Sequence, residues 1–415
     1  MKVAVAPYAL NRIPLSWIID DSTVLINLNY FWMRDRNPVD GQNRRWEDVP
    51  VVHPEWFTRR FAEFCAENGV RGKFSVVPVP AGVGRIDRPL PLFGRAQTES
   101  WLQMCREEIA PSFDITPEML THTLVLDPET LQPLDPPIWE QYEWSRLPTD
   151  QEDFVREYIA VSCRILQNVG LPPEGVTSPG GFGGQTLEFY AKVAGEAVRE
   201  VTGNPTPYFF KRIERSPEVP VPVWYPDREK GQAVGEIIAG TGDWTGSWEG
   251  YRPADPDRYI TPDLEGGRMV ELIEAGLPAI AISHWQGFYG MHAEDQRGFK
   301  AFRTVVRRLR ERDPRGERTR WLKPSEIARY ACMREMAQWT VHGTAIHLDL
   351  PVLAPELTLH VQGVQARGVR VDHEELRPVS GQLDFSAGTF YTPDRSTTWI
   401  AFTPTHRSPV VELIL

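Results

Sequence analysis

Two adjacent carboxylates, Asp20 and Asp21, end the apolar run Trp17-Ile-Ile-Asp-Asp. Such a run reads as a buried strand with acid at its carboxyl end. Neighbouring carboxylates repel each other, so a fold that holds both at a strand end needs a cation or a shared proton beside them. The chemistry that suits the pair is a metal ion on one aspartate and a proton accepted by the other; a helix cap or a solvated turn uses the same residues with no chemistry at all. Other polar groups follow apolar segments in the same way: Thr121-His122-Thr123, Ser178-Pro179, Asp243 and His284. In parallel α/β folds the carboxyl ends of the strands form one face, where residues distant in sequence converge. Of nine histidines, only His53, His122, His284 and His292 precede the β-rich tail. His122 and His284 sit on apolar segments, where an imidazole needs a partner, as core residue or as ligand.

The elements that would position these groups alternate. After the first strand, Trp56–Asn68 carries an apolar helical stripe that Gly69 closes, and 71–79 reads as a second buried strand. Strand, helix, strand at this spacing implies parallel pairing and an α/β fold. A helical stretch around Trp101–Ile109 precedes Glu118-Met-Leu-Thr-His-Thr-Leu-Val-Leu-Asp127, which is apolar on both sides of its histidine, and 128–148 reads as a surface loop. An amphipathic helix covers Gln151–Val169, followed by a short strand that opens into the glycine-rich loop 178–184 and a helix over 186–201. The glycines let backbone amides approach an anion, but neither Walker A nor G-x-G-x-x-G is present, which excludes those nucleotide sites. Strands ending in Asp243-Trp244 and in His284-Trp285, a helix over 299–312 and another over 324–336 follow. From about residue 339 the pattern turns to alternation with frequent turns, a small all-β unit. The expected division is 1–337 and 338–415.

Composition bounds the partners. The 415 residues carry a net charge of -11, with 41% hydrophobic and 24% charged residues. This balance argues against nucleic acid and against an anionic membrane surface. No apolar run approaches the roughly 20 residues that cross a bilayer, and the N-terminus lacks a signal peptide's apolar region, so cytoplasmic residence is the default expectation. Four cysteines lie far apart, with no C-x-x-C spacing for a zinc site or a disulfide framework. Several of the 14 tryptophans (Trp17, Trp32, Trp244, Trp248, Trp285) fall beside these motifs, where flat rings suit the faces of sugars as well as a core.

The order of motifs resembles the polysaccharide deacetylase (NodB homology) superfamily over roughly residues 10–335. Ile19-Asp20-Asp21 matches its first motif, Gly69-Val-Arg-Gly-Lys-Phe-Ser-Val-Val its second strand, and His122-Thr123 its histidine motif. Thr177-Ser-Pro-Gly-Gly resembles its R-x-P-x-G loop, Asp243-Trp244 its fourth motif, Ile282-Ser-His284 its last, and Trp321–Tyr330 its final barrel helix. The resemblance implies a distorted (β/α)7 TIM-like barrel and leaves the tail unexplained, which by its own pattern is a small C-terminal all-β domain of sandwich type. It implies a hydrolase that removes an N- or O-acetyl group from a carbohydrate or other small acylated compound. Carried over by position, Asp20 is the general base, His284 the general acid, and Asp21 and His122 ligands of a divalent metal, zinc first. Ser178, Gly180 and Gly181 would donate to an oxyanion, and Asp243, Trp244 and Trp285 would line the substrate site. The chain departs from the pattern twice. Leu126 stands where the second histidine belongs, with Asp127 next to it and His284 as a replacement ligand; and the loop at Thr177 lacks the arginine that orients the catalytic aspartate. Two rivals remain: a metal-independent glycoside hydrolase or lyase using Asp20, Asp21, Asp243 or Glu249, and a non-catalytic sugar-binding protein. The tail reads as a module that packs on the barrel or mediates a homodimer.

Overall fold

A computed structural model describes residues 1–23, 25–36, 46–291 and 295–415; His292 lies outside the described residues. Seven strands run parallel around one axis: β2 (Ile13–Asp20), β3 (Gly72–Ser75), β4 (Phe113–Thr116), β5 (Gly175–Thr177), β6 (Tyr208–Ile213), β8 (Gln232–Ala239) and β9 (Ala279–His284), where β1 is Lys2–Val5 and β7 is Val223–Asp227. Ladders join β9, β2, β3 and β4 into one arc and β5, β6 and β8 into another. The arcs meet at two narrow seams. At one, Glu118 bridges Thr177 and the Thr177 N–H donates to Pro117 O at 2.9 Å; at the other, Gly240 N–H donates to Ile280 O at 2.8 Å. The second seam is narrow because β7 occupies the first half of the free edge of β8, pairing Val223 with Gly235. The fold is therefore a distorted (β/α)7 barrel.

Side chains alternate along these strands between an inside and an outside. Leu15, Trp17 and Ile19 of β2 face outward and belong to the large cluster shared with the helices, α2 (Glu55–Asn68), α3 (Arg95–Met104), α4 (Glu152–Asn168), α5 (Leu187–Thr202), α6 (Arg268–Glu274), α7 (Trp285–Tyr289) and α8 (Arg297–Arg312) among them. Ile18, Tyr208, Phe210, Ile237, Ala239, Ile280 and Ile282 form a separate interior cluster, closed from below by Leu322, Ile327 and Ala328 of α9 (Pro324–Met336) and its approach. Asp20, Lys73, Ser75, Thr116, Thr177 and His284 stand above that apolar floor, in the alternation of the interior cluster. The described residues contain no helix long and apolar enough to cross a membrane.

Residues 338–414, together with β1, form two five-stranded sheets around their own core, a sandwich that α9 ties to the barrel through Tyr330, Cys332, Met333 and Met336. One correction concerns the boundary. The first strand, β1, is not part of the barrel but pairs antiparallel with Leu357–Gln362 of the sandwich, so the chain starts in its C-terminal unit. Two barrel strands, Phe113–Thr116 and Tyr208–Ile213, also went unread in the sequence, and 118–127 is a loop rather than a strand.

His53 tests the outer core. It is 1% exposed, packs edge-on to Tyr289 with ring centroids 5.1 Å apart, and neither ring nitrogen has a hydrogen-bond partner among the described residues. Burial pushes its pKa down to about 3. A depressed imidazole contributes stability that is full above the unfolded pKa near 6.5 and is lost as pH falls toward 3. His53→Leu should therefore gain on the wild type by about 2 kcal/mol between pH 8 and pH 5, read by denaturant unfolding at both pH values; an equal difference at the two would show that His53 is not buried neutral.

Candidate active site

The turn after β2 sets the site. Asp20 ends the strand in register with His284 of β9, so the two share the inner face of the barrel mouth. Asp21 then takes φ +55°, the left-handed region that a non-glycine residue enters at a cost, and this ends the strand. The Asp21 N–H donates to Glu118 Oε2 at 2.8 Å, and Asp21 Oδ1 accepts from His122 Nε2 at 2.7 Å. Glu118 Oε1 lies 3.4 Å from the same nitrogen. Asp21, Glu118 and His122 thus each bring one ligand atom to a common point, all within 4.8 Å of one another. Burial alone would raise the Asp21 pKa, but the neighbouring His122 holds it down; burial would lower His122, but Asp21 and Glu118 hold it well up.

The loop carrying Glu118 and His122 is held by a buried acid. Glu140 accepts from the N–H groups of Thr121 (2.9 Å) and His122 (2.7 Å) and from the Tyr158 hydroxyl. That clamp lets His122 sit at φ +66°. The Gln141 carboxamide lies 3.1 Å from His122 Nδ1 and donates to the His122 carbonyl at 3.0 Å.

Asp20 and His284 have separate partners. Asp20 receives a bond from Lys73 of β3, which is itself 0% exposed. Burial, with the Glu118 charge adding to it, raises the Asp20 pKa although Lys73 and His284 act against the rise. His284 Nδ1 lies 2.7 Å from Asp243 Oδ2, and Asp243 is fixed in turn by the Thr245 N–H and hydroxyl at 2.9 and 2.7 Å. Burial pulls the His284 pKa down, but Asp21, Asp243 and Asp20 together push it up to about 10. The ring is then an imidazolium at neutral pH, with Nε2–H turned away from Asp243.

The other expected residues divide. Trp285 is 0% exposed and packs among Phe57, Phe61 and Phe74 in the outer core, so it cannot line the mouth. Trp244 packs outside the barrel on Tyr259, under the Arg258 guanidinium 4.3 Å away, so only its neighbour Asp243 faces inward. The Ser178 N–H donates to Phe210 O and the Gly181 N–H to Gln141 O, so neither amide is left for an oxyanion, and the Ser178 hydroxyl lies beside Tyr190. Gly180 and Gly181 matter by closeness instead: a Cβ there would stand 2.6 and 2.5 Å from Gln141 atoms. Leu126 is a buried core residue, and Asp127 turns outward to cap Thr130 at 2.8 Å, so neither replaces a ligand. The carboxylate that stands beside Asp21 and His122 is instead that of Glu118, four residues before His122.

Above the loop lies an aromatic cluster that includes two residues of the supposed surface loop. Trp32 of α1 (Leu28–Arg36) stacks on Tyr142 with centroids 5.7 Å apart and meets the edge of Trp139 at 5.4 Å; Trp248 belongs to the same cluster.

No protein-family model matches this chain, and no curated protein matches it. Among solved structures it is similar to an α-amylase from Geobacillus thermoleovorans complexed with acarbose, at 10% identity over 98% of this chain and 99% of that one, with a TM-score of 0.35. It is similar to an acarbose-soaked debranching enzyme of Nostoc punctiforme, at 10% identity over 99% and 100%, TM-score 0.33. A Thermotoga maritima α-fucosidase with a mechanism-based inhibitor gives 10% identity over 99% and 97%, TM-score 0.29. Likenesses this weak say nothing about what this chain does.

The Glu140 clamp is directly testable. Glu140→Ala leaves three buried donors without an acceptor and should lower unfolding stability by about 3–5 kcal/mol. A loss below about 1 kcal/mol in denaturant titrations would mean that the loop is held by other contacts.

Proposed function

We propose that this protein is a metal-dependent hydrolase that removes an N- or O-acyl group from a carbohydrate or related small compound. The observation that carries the reading is the convergence of Asp21, Glu118 and His122 on one point beside Asp20 and the His284–Asp243 pair. One imidazole nitrogen and two carboxylate oxygens suit a divalent ion of the zinc class, and Glu118 keeps Oε1 for it while Oε2 is held by the Asp21 N–H. When bound there, such an ion supplies a polarised acyl carbonyl and a more acidic water. Ligation through Nε2 would leave Nδ1 of His122 beside the Gln141 carboxamide, 3.1 Å away, on the side of the ring turned from the ion.

The remaining work falls to the chain's own groups. Asp20 accepts a proton from the attacking water, and its burial makes it a stronger base than an exposed aspartate. His284 gives its Nε2 proton to the amine or alkoxide as the acyl bond breaks, while Asp243 holds the ring in place through Nδ1. The exposed Tyr142 ring, backed by the buried Trp32, and the half-buried Trp139 suit the apolar faces of a sugar ring, which favours a carbohydrate over an unadorned amide.

A second reading, metal-independent glycoside hydrolysis, rests on one observation. Asp20 and Asp21 are neighbouring carboxylates whose pKa values are pushed in opposite directions, the pattern of an acid beside a base. Chelation separates the two. Purified protein assayed on acetylated sugars and on an activated acetyl ester should lose activity to a chelator and regain it with zinc, and Asp20→Asn or His284→Ala should each lower kcat by about 100-fold or more. Chelator-resistant release of sugar from aryl glycosides would decide for the second reading and against the first.

A further inference from the structure

Lys73 is the one fully buried cation of the barrel interior among the described residues, and its surroundings account for every proton it carries. Its Nζ donates to Asp20 Oδ1, to Ser75 Oγ at 2.7 Å and to Thr177 Oγ1 at 2.7 Å, and the Thr177 hydroxyl bonds that of Thr116 at 2.9 Å. The three N–H bonds of the ammonium are therefore matched by three acceptors, which fixes its direction. Asp20 is the carboxylate it meets. Below lies the apolar floor of Ile18, Phe210 and Ile282, and the Phe210 ring centroid is 5.5 Å from Nζ. With Oδ1 held from below, Asp20 keeps Oδ2 for the mouth of the barrel.

We infer that Lys73 is the positioning residue for Asp20: it balances the buried carboxylate and aims it at the attacking water. This rests on the hydrolase reading above, because it assigns Lys73 to the base of that reaction. The hydroxyls of Thr177 and Ser75 serve the same end, holding the ammonium so that its third proton can point only at Asp20. A purely structural lysine, tying β3 to β5 across the seam, would leave the geometry of Asp20 indifferent to its loss.

Lys73→Met, Thr177→Val and Thr177→Ser, compared with the wild type, separate these roles. The expected result for Lys73→Met is cooperative unfolding and unchanged metal content, with kcat lower by about 100-fold and KM within about threefold, as a misplaced base implies. Thr177→Val should lose about tenfold in kcat and Thr177→Ser should restore it, because only the serine keeps the acceptor. A crystal structure of Lys73→Met should show the Asp20 carboxylate displaced by about 1 Å or more. The inference is overturned if Lys73→Met folds and retains kcat, or if Asp20 has not moved. Should Lys73→Met fail to fold, equal kcat in Thr177→Val and Thr177→Ser overturns it. Should the wild type hydrolyse no acyl compound at all, the hydrolase reading falls, and the position of Asp20 in the crystal decides the pairing alone.

Discussion

A lysine and an aspartate share the dry interior of this barrel, and much of the mouth depends on that pair. Two lone charges in such surroundings would be expensive, and together they are tolerated only with the lysine's hydrogen bonds complete. The structure completes them with hydroxyls from two strands, Ser75 of β3 and Thr177 of β5, and Thr116 of β4 backs Thr177. The polar layer thus spans the seam where the ladder between β4 and β5 shrinks to a single bridge, at Glu118 and Thr177. The same pair of residues continues into the site: Thr177 touches Lys73, and Glu118 reaches His122 and Asp21.

From that layer upward, each candidate group is oriented by a second one. Asp20 leans on Lys73, Asp21 on Glu118 through its amide, His122 on Glu140 and Gln141, and His284 on Asp243. Chemistry that needs a base, an acid and a ligand cluster within one small volume requires such support, because an unsupported side chain drifts by more than the reaction tolerates. The left-handed turns at Asp21 and His122 store part of the strain this arrangement demands.

The sequence made the outline legible for a physical reason. Apolar runs that end in Asp20, Asp243 and His284 are what parallel strands look like when their carboxyl ends carry the polar groups; Asp20 and His284 do end strands, whereas β8 stops at Ala239 and Asp243 lies in the loop that follows. What stayed hidden followed from longer-range effects. Phe113–Thr116 and Tyr208–Ile213 are too short and too mixed to stand out, and β1 finds its partner more than 350 residues away by position. Lys73 reads locally as a solvent-facing residue of a strand; only the absence of a solvent face in a barrel strand marks it as a paired charge. Glu118 was lost inside an apolar run, although an acid four residues before a histidine is itself a ligand spacing. Trp285 misled because adjacency in sequence to His284 places it on the opposite face of the strand end, in the outer core.

On the proposed reading, Glu118 completes a metal site with Asp21 and His122. Elemental analysis of the purified protein, wild type beside Glu118→Ala, tests it most directly. The wild type should hold about one zinc-class ion per chain, and the variant should lose it. A wild type that takes up no divalent ion on soaking, or a variant that keeps the full complement, would contradict it.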